Sequence, residues 1–257
     1  MSRIKSAGEI LANEIGLAVE KMRGCVTPIF DVNERGEAEL LGTAVLVAID
    51  GSTFLCTAYH VIQDHAKSTL YIDGPSRLEE LSGVFLISRS HDVAVLPLTS
   101  EQVKILRKYR PLPGSLIASR AETLASKYVE VIGFPESKNR KAHNRRQIKG
   151  QLYSVAGTVR SITITRVRLN FGKKANLDRR TRMRVTAPDP YGMSGGGMFG
   201  APVNGETIHG RPQPKLIGIV TDWLRDSGEM SGTAIGVVLA IIASSGSLLP
   251  AKLKPGG

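Results

Sequence analysis

The stretch Tyr191-Gly192-Met193-Ser194-Gly195-Gly196-Gly197 sets a serine among glycines, whose bare backbone can bring N–H groups up to a reacting carbonyl. A hydroxyl is a poor nucleophile at neutral pH. It needs a base to take its proton and donors to hold the negative oxygen that forms. The motif therefore calls for a histidine, a carboxylate to orient it, and a scaffold that joins all three. Thr57-Ala58-Tyr59-His60-Val61 and His91-Asp92-Val93-Ala94-Val95-Leu96 supply the first two. In chain order His60, Asp92 and Ser194 give histidine, carboxylate, serine, one of the known orders of a nucleophilic triad.

The scaffold is legible as a series of short strands. Segments rich in Val, Ile, Thr and Leu alternate with turn residues over 26–32, 38–49, 53–58, 69–72, 83–87 and 93–98. A second series follows over 128–132, 151–159, 162–169, 182–186, 197–199, 216–221 and 233–238. Gly51-Ser52 reads as a hairpin turn between two strands of the first series. A helix-like stretch, 101–108, and Arg110-Pro111-Leu112-Pro113-Gly114 separate two halves of about six strands each. Many short strands with regular turns predict an all-β barrel or sandwich. Ahead of them, Ile10, Leu11, Ile15, Ala18, Val19 and Met22 recur at helical spacing between polar residues, which predicts an amphipathic helix ending near Gly24. Residues 240–254 read as a short C-terminal helix and tail. The chain so divides into a helical extension (1–23), a first β unit carrying His60 and Asp92 (24–112), a second carrying Ser194 (113–243) and a tail (244–257).

Composition narrows the setting. A chain of 257 residues can bury a substantial core, and no apolar run approaches the ~20 residues of a membrane span. The first residues lack the apolar centre of a secretory signal, so a cytoplasmic protein is expected. Cys25 and Cys56 are too few for a disulfide framework and read as small buried hydrophobes, although Cys56 lies four residues before His60. His65, His91, His143 and His209 have no Cys or His partner at metal-ligand spacing; neither a metal nor a cofactor is expected. The excess of 34 basic over 23 acidic residues gathers in two clusters. One holds Lys138, Arg140, Lys141, Arg145, Arg146 and Lys149. The other runs from Arg166 to Arg184. Such patches attract polyanions, including nucleic acid and acidic proteins, but no nucleic-acid module accompanies them, and solvated loops and strand edges explain them as well.

Gly192-Met193-Ser194-Gly195-Gly196 also fits the Gly-x-Ser-x-Gly turn of α/β-hydrolases. That fold needs a helix after the serine and the order serine, acid, histidine. Three glycines, Gly200 and Pro202 follow here, His209 is the only histidine beyond the serine, and Glu206 is the only carboxylate between the two. That architecture is rejected.

The combined motifs resemble the trypsin/chymotrypsin-like serine proteases, in particular bacterial members of the kind that includes the high-temperature-requirement proteases. The matching segments are Gly42-Thr43-Ala44-Val45-Leu46-Val47, Thr57-Ala58-Tyr59-His60-Val61, Asp92-Val93-Ala94-Val95-Leu96, Gly192-Met193-Ser194-Gly195-Gly196 and Leu216-Ile217-Gly218-Ile219-Val220-Thr221. The resemblance spans roughly residues 25 to 243. It implies two six-stranded antiparallel β-barrels and a serine endopeptidase working through an acyl-enzyme, with His60, Asp92 and Ser194 catalytic and the N–H groups of Gly192 and Ser194 lining the oxyanion hole. It also implies that Thr221 supports the aspartate, and that Pro188, Tyr191, Asp222, Trp223 and Gly232 line the primary specificity pocket. Asp189 is offset by one residue from the selector position, which falls on Pro188, so no preference for basic residues follows. Digestive members of the family carry aspartate where Met193 stands, and pair it with a freshly cut N-terminus. Methionine cannot do that, so another event, such as a docking partner protein, is expected to order the oxyanion loop. Tyr59 stands where a small residue is usual. A protein or peptide substrate is implied; the alternative is a protease-fold binding module that engages nucleic acid or a partner protein through the basic clusters.

Overall fold

The computed structural model describes residues 16, 18–63, 69–74, 77–139, 150–172, 176–177, 184–202 and 213–245. Most of the predicted N-terminal helix, His65, His143, His209, the basic residues 140–149 and the tail from 246 lie outside them. Gly16, Ala18 and Val19 are helical and lead into a 3₁₀ turn, Glu20–Cys25.

The first half builds one antiparallel sheet from β1 (Val26–Val32), β2 (Ala38–Ile49), β3 (Ser52–Thr57), β4 (Tyr71–Asp73), β5 (Leu78–Glu80), β6 (Leu86–Ser88) and β7 (Val93–Pro97). Its order is β5-β4-β1-β2-β3-β7-β6, with β8 (Leu112–Pro113) added in parallel against β2. The second half closes a barrel from β9 (Ser126–Gly133), β10 (Tyr153–Ile162), β11 (Arg166–Asn170), β14 (Gly197–Pro202), β15 (Lys215–Leu224) and β16 (Glu229–Ala234), in the order β10-β11-β16-β15-β14-β9. A two-stranded ribbon, β12 (Asn176–Leu177) with β13 (Arg184–Val185), stands apart from it. One predicted barrel is therefore present as a closed six-stranded barrel. The other is an open sheet: among the described residues the short edge strands β5 and β6 do not pair with each other.

The apolar run of β2 is explained by two cores that share it. Residues alternate across a strand, and here both faces are covered. Ala44 and Leu46 join Ile29, Leu55, Ala94 and Leu96 inside the first sheet. Val45 and Val47 join Cys56, Val93 and Val95 on its other face, where they meet Ile132, Phe199, Leu216 and Ile219 of the barrel. A third core of Val129, Val131, Val167, Leu169, Met198 and Met230 fills the barrel itself. The seam between the two halves is thus packed with buried apolar side chains as either interior is, and strand ends that meet there are held firmly.

Local chemistry sets the connections. The hairpin between β2 and β3 turns on Asp50 and Gly51, both at positive φ, with Ile49 opposite Ser52. Two left-handed central residues make the turn that matches strand twist, and Asp-Gly is a favoured pair for it. The turn sits one residue earlier than the sequence suggests, because Ser52 already belongs to β3. The helix expected over 101–108 is α2 (Ser100–Ile105), after α1 (Tyr59–Gln63), and opens with a capping box between Thr99 and Gln102. A further capped helix, α3 (Arg120–Ala125), precedes β9. Residues 233–238, read as a strand, divide at Ala234: β16 ends there and α4 (Ile235–Ser245) begins. A short apolar run carries no period that separates the two states. Ile235, Val238 and Ile242 of α4 point into the seam, at helical spacing. No described helix is long and apolar enough to cross a membrane.

Candidate active site

His60 lies in α1 just after β3, Asp92 immediately precedes β7, and Ser194 lies just ahead of β14 in the barrel. Thr57 ends β3, Ala58 is buried, and α1 turns His60 into the seam. Asp92 follows a 3₁₀ turn, Arg89–His91, and holds a left-handed backbone, φ 52° and ψ 50°, immediately before β7. Aspartate tolerates that conformation better than most residues. The carboxylate grips His60 at two points. Oδ1 accepts from the His60 backbone N–H at 2.9 Å, and Oδ2 bonds ring Nδ1 at 2.7 Å. A proton on Nδ1 directed at a carboxylate leaves Nε2 as an acceptor. The buried Thr233 hydroxyl donates to the His91 carbonyl, so a barrel strand braces the turn that carries Asp92.

The serine turn is bound on the other side of the seam. The backbone N–H of Thr43 donates to the Ser194 carbonyl at 2.8 Å, and the Gly195 N–H donates to the Val220 carbonyl at 2.8 Å. Gly42 lets this approach happen: a Cβ there would press on Val61 of α1 and on the Ser194 carbonyl. Gly195 has φ +85°, and a Cβ on it would collide with the Thr43 carbonyl oxygen and Thr57 Oγ1. Replacing Gly195 with alanine is therefore expected to cost at least ~2 kcal/mol of stability, read as a lowered midpoint in urea unfolding.

Two N–H groups beside Ser194 are aimed by their partner carbonyls. In a trans peptide the N–H points opposite to the C=O. The Tyr191 carbonyl accepts from the Glu136 N–H at 2.6 Å, which turns the Gly192 N–H away from the 3₁₀ turn Glu136–Lys138. The Met193 carbonyl accepts from the Gly196 N–H at 2.8 Å, which turns out the Ser194 N–H. Among the described residues, neither the Gly192 nor the Ser194 N–H has a protein acceptor. Gly192 takes φ +85° as the third residue of the turn in which Met193 N–H bonds the Pro190 carbonyl, a conformation that favours glycine. The Met193 side chain is fully buried in the barrel core.

The groups share a cleft of about 1040 Å³, lined among others by Tyr59, His60, Asp92, Tyr191, Ser194 and Thr221. Ser194 Oγ donates there to the Thr221 carbonyl at 3.2 Å. The other sequence candidates divide. Tyr191, Asp222 and Trp223 line the cleft, with Trp223 edge-on to both Tyr191 and Phe171. Pro188 is not among the lining residues; Pro190 is. Gly232 faces the barrel interior, where a Cβ would strike the Ile219 carbonyl and Met198 Sδ. The Thr221 hydroxyl is not on Asp92: it donates to its neighbour Asp222 at 2.7 Å, and Asp222 is also bonded by Ser231 and Arg166. A bulge between Val220 and Asp222 accompanies that change of direction. Arg89 and Arg166 line the cleft as well, and Arg89 lies 5.8 Å from the centre of the Tyr59 ring, so Tyr59 packs under a guanidinium. Only contact in space reveals these two arginines: Arg166 opens a cluster that reads as solvated surface, and Arg89 lies between two predicted strands. His91 sits in the 3₁₀ turn and bonds the Ser88 and Ser90 hydroxyls through Nδ1.

Cys56 is not a rival nucleophile. It is fully buried, and burial pushes its thiol up to about 12, as it does that of Cys25. The thiolate is the reactive form. Native protein is expected to take up iodoacetamide at neither cysteine, and unfolded protein at both, as read by mass spectrometry. Among the described residues no group of His, Cys, Asp and Glu is arranged to hold a metal ion.

Residues 42–206, more than half of the chain, match the trypsin-like peptidase domain. The chain belongs to that family. Among solved structures it is similar to an inactive-form serine-to-alanine variant of Rv3671c from M. tuberculosis H37Rv, with 17% identity over 97% of this chain and 98% of that one, and a TM-score of 0.52. It is also similar to the HtrA-type protease AlgW with a tripeptide, again at 17% identity and a TM-score of 0.52, over 90% of this chain and 63% of that one. Both likenesses concern the fold. Among the curated proteins none matches.

Proposed function

We propose that the chain is a serine endopeptidase whose triad is His60, Asp92 and Ser194. The observation that carries the reading is the two-point bond from Asp92 to His60 in the cleft that also holds Ser194 and two uncommitted N–H groups. In the resting arrangement the Ser194 hydroxyl points to Thr221. Rotation about its Cα–Cβ bond, between staggered wells, directs it toward His60 Nε2. Oγ then attacks the scissile carbonyl carbon while Nε2 takes the hydroxyl proton. The Gly192 and Ser194 N–H groups receive the oxyanion. Collapse breaks the C–N bond, His60 returns the proton to the leaving amine, and water repeats the sequence on the acyl ester. Asp92 holds the imidazole in the required tautomer throughout.

An extended peptide suits the cleft. β15 pairs with β16 as far as Leu224, but its pairing with β14 ends at Ile219. Thr221, Asp222, Trp223 and Leu224 therefore carry a strand edge along the cleft, where a substrate main chain can add by strand pairing. Trp223 and Tyr191 offer an apolar wall beside the nucleophile. Because the turn bearing Gly192 is already built, a docking partner is proposed to act on substrate access.

The test is digestion of an unfolded protein with acid quenching. The reading predicts cleavage and a peptide containing Ser194 that carries the mass of an acyl fragment. Absence of cleavage together with salt-dependent retention on nucleic acid would favour a binding module instead.

A further inference from the structure

The carbonyls of Tyr191, Gly192, Met193 and Ser194 are all anchored, and two of the four anchors come from one residue. Thr43 donates its N–H to the Ser194 carbonyl at 2.8 Å and its hydroxyl to the Gly192 carbonyl at 2.8 Å. The same hydroxyl oxygen accepts the Phe134 N–H at 2.9 Å. One O–H donor and one lone pair are thereby both used, and the residue is fully buried. The other two anchors, the Glu136 and Gly196 N–H groups, are backbone within the barrel half. Thr43 is the one side chain in the set, and it reaches across the seam from β2. Its own carbonyl accepts the Thr57 hydroxyl at 2.7 Å, at the end of the strand that leads to His60.

We propose that Thr43 is a positioning residue for the oxyanion hole: its hydroxyl fixes the Gly192–Met193 peptide, which lies between the two peptides that present the hole's N–H groups. This inference rests on the serine endopeptidase reading above. Without the hydroxyl, the Gly192–Met193 peptide is held only at its other end, where the Met193 N–H bonds the Pro190 carbonyl. Its carbonyl end is then able to tilt, which shifts the Cα atoms from which the two flanking peptides start. Fixing it keeps both N–H groups convergent before substrate arrives, which is where oxyanion stabilisation gains its strength. The bracket also ties the hole to β3 through Thr57, so the donors and the general base are set against a common strand pair. Serine keeps the hydroxyl. Valine keeps the shape and leaves both the Gly192 carbonyl and the Phe134 N–H without it.

The experiment compares wild type, Thr43→Val and Thr43→Ser for kcat and KM on a chromogenic peptide, and for the rate of Ser194 phosphonylation by a fluorophosphonate. Thr43→Ala stands in if Thr43→Val does not fold, judged by circular dichroism melting. The valine variant is expected to lose about tenfold or more in kcat and in phosphonylation rate, with KM within about twofold and Thr43→Ser close to wild type. Affinity for a peptide aldehyde, whose adduct places an oxyanion in the hole, should fall with kcat. Unchanged kcat in a folded Thr43→Val, or a Thr43→Ser loss as large as that of valine, overturns the proposal while leaving the serine nucleophile standing. If wild-type Ser194 takes no phosphonate at all, the endopeptidase reading fails, and this one with it.

Discussion

Replacing Ser194 with alanine is expected to lower kcat for peptide hydrolysis by about 10⁶, a loss of the size seen when a triad acts as a unit. The change removes one oxygen, whose hydrogen bond in the folded protein is a 3.2 Å contact to the Thr221 carbonyl. Nothing else in the turn depends on it. The Ser194 carbonyl keeps the Thr43 N–H, Gly195 keeps Val220, and Gly192 keeps the Thr43 hydroxyl. Substrate affinity and the unfolding midpoint should therefore stay near wild type while turnover vanishes. A parallel loss of stability would say that the turn, not the nucleophile, had been damaged.

Replacing Asp92 with asparagine should lower kcat by about 10⁴ with little change in KM. The carboxylate oxygens now take the His60 backbone N–H and ring Nδ1 at 2.9 and 2.7 Å. An asparagine keeps the backbone bond through its carbonyl oxygen and turns its NH₂ to the ring. Nδ1 must then accept, so the proton moves to Nε2, and the base toward Ser194 is lost. The left-handed backbone at position 92 suits asparagine as well as aspartate, so folding is preserved. Measuring kcat from neutral to alkaline pH checks the cause, because a deficit of hydroxide-like base recovers partly as pH rises.

The three residues proposed as a triad could be named from sequence because their local contexts were short and their chain order matched a known one, and the fold brings them to one cleft. The Gly-rich turn, the His60 segment after an apolar strand, and Asp92 before another each stand within a few residues of their strand ends. Strand spacing gave an all-β barrel or sandwich; the six-stranded barrel followed from the family resemblance, and one of the two expected barrels is closed. Other features depended on contacts that no window of sequence contains. Thr221 follows the expected strand, yet the bulge at Val220 and the neighbouring Asp222 turn its hydroxyl away from Asp92. Gly232 lies in the predicted region but inside the barrel, because strand phase, not position, decides which face it shows. The run from 233 to 238 carried no period that could separate strand end from helix start. Thr43 was only one letter of a matching segment; its weight comes from partners at 134, 192 and 194, brought together by the closing of the seam.

Met193 shows the same distinction from the other direction. A methionine there excludes an ion pair from sequence alone, but what holds the turn instead is visible only in space. Its side chain fills the barrel core, and backbone and hydroxyl donors hold the four carbonyls from Tyr191 to Ser194. The expected trigger, an event that orders this loop, gives way in our proposal to a loop ordered by burial and by Thr43.

The central claim is that Ser194 is activated by His60 held on Asp92. It is tested most directly by incubating the full chain with a fluorophosphonate and mapping the adduct by mass spectrometry, in wild type, Ser194→Ala and His60→Ala. A single adduct on Ser194 is expected in wild type, none in Ser194→Ala, and a rate at least about 10³-fold slower in His60→Ala. An adduct that persists in Ser194→Ala, or labelling of Ser194 that is as fast without His60, contradicts it.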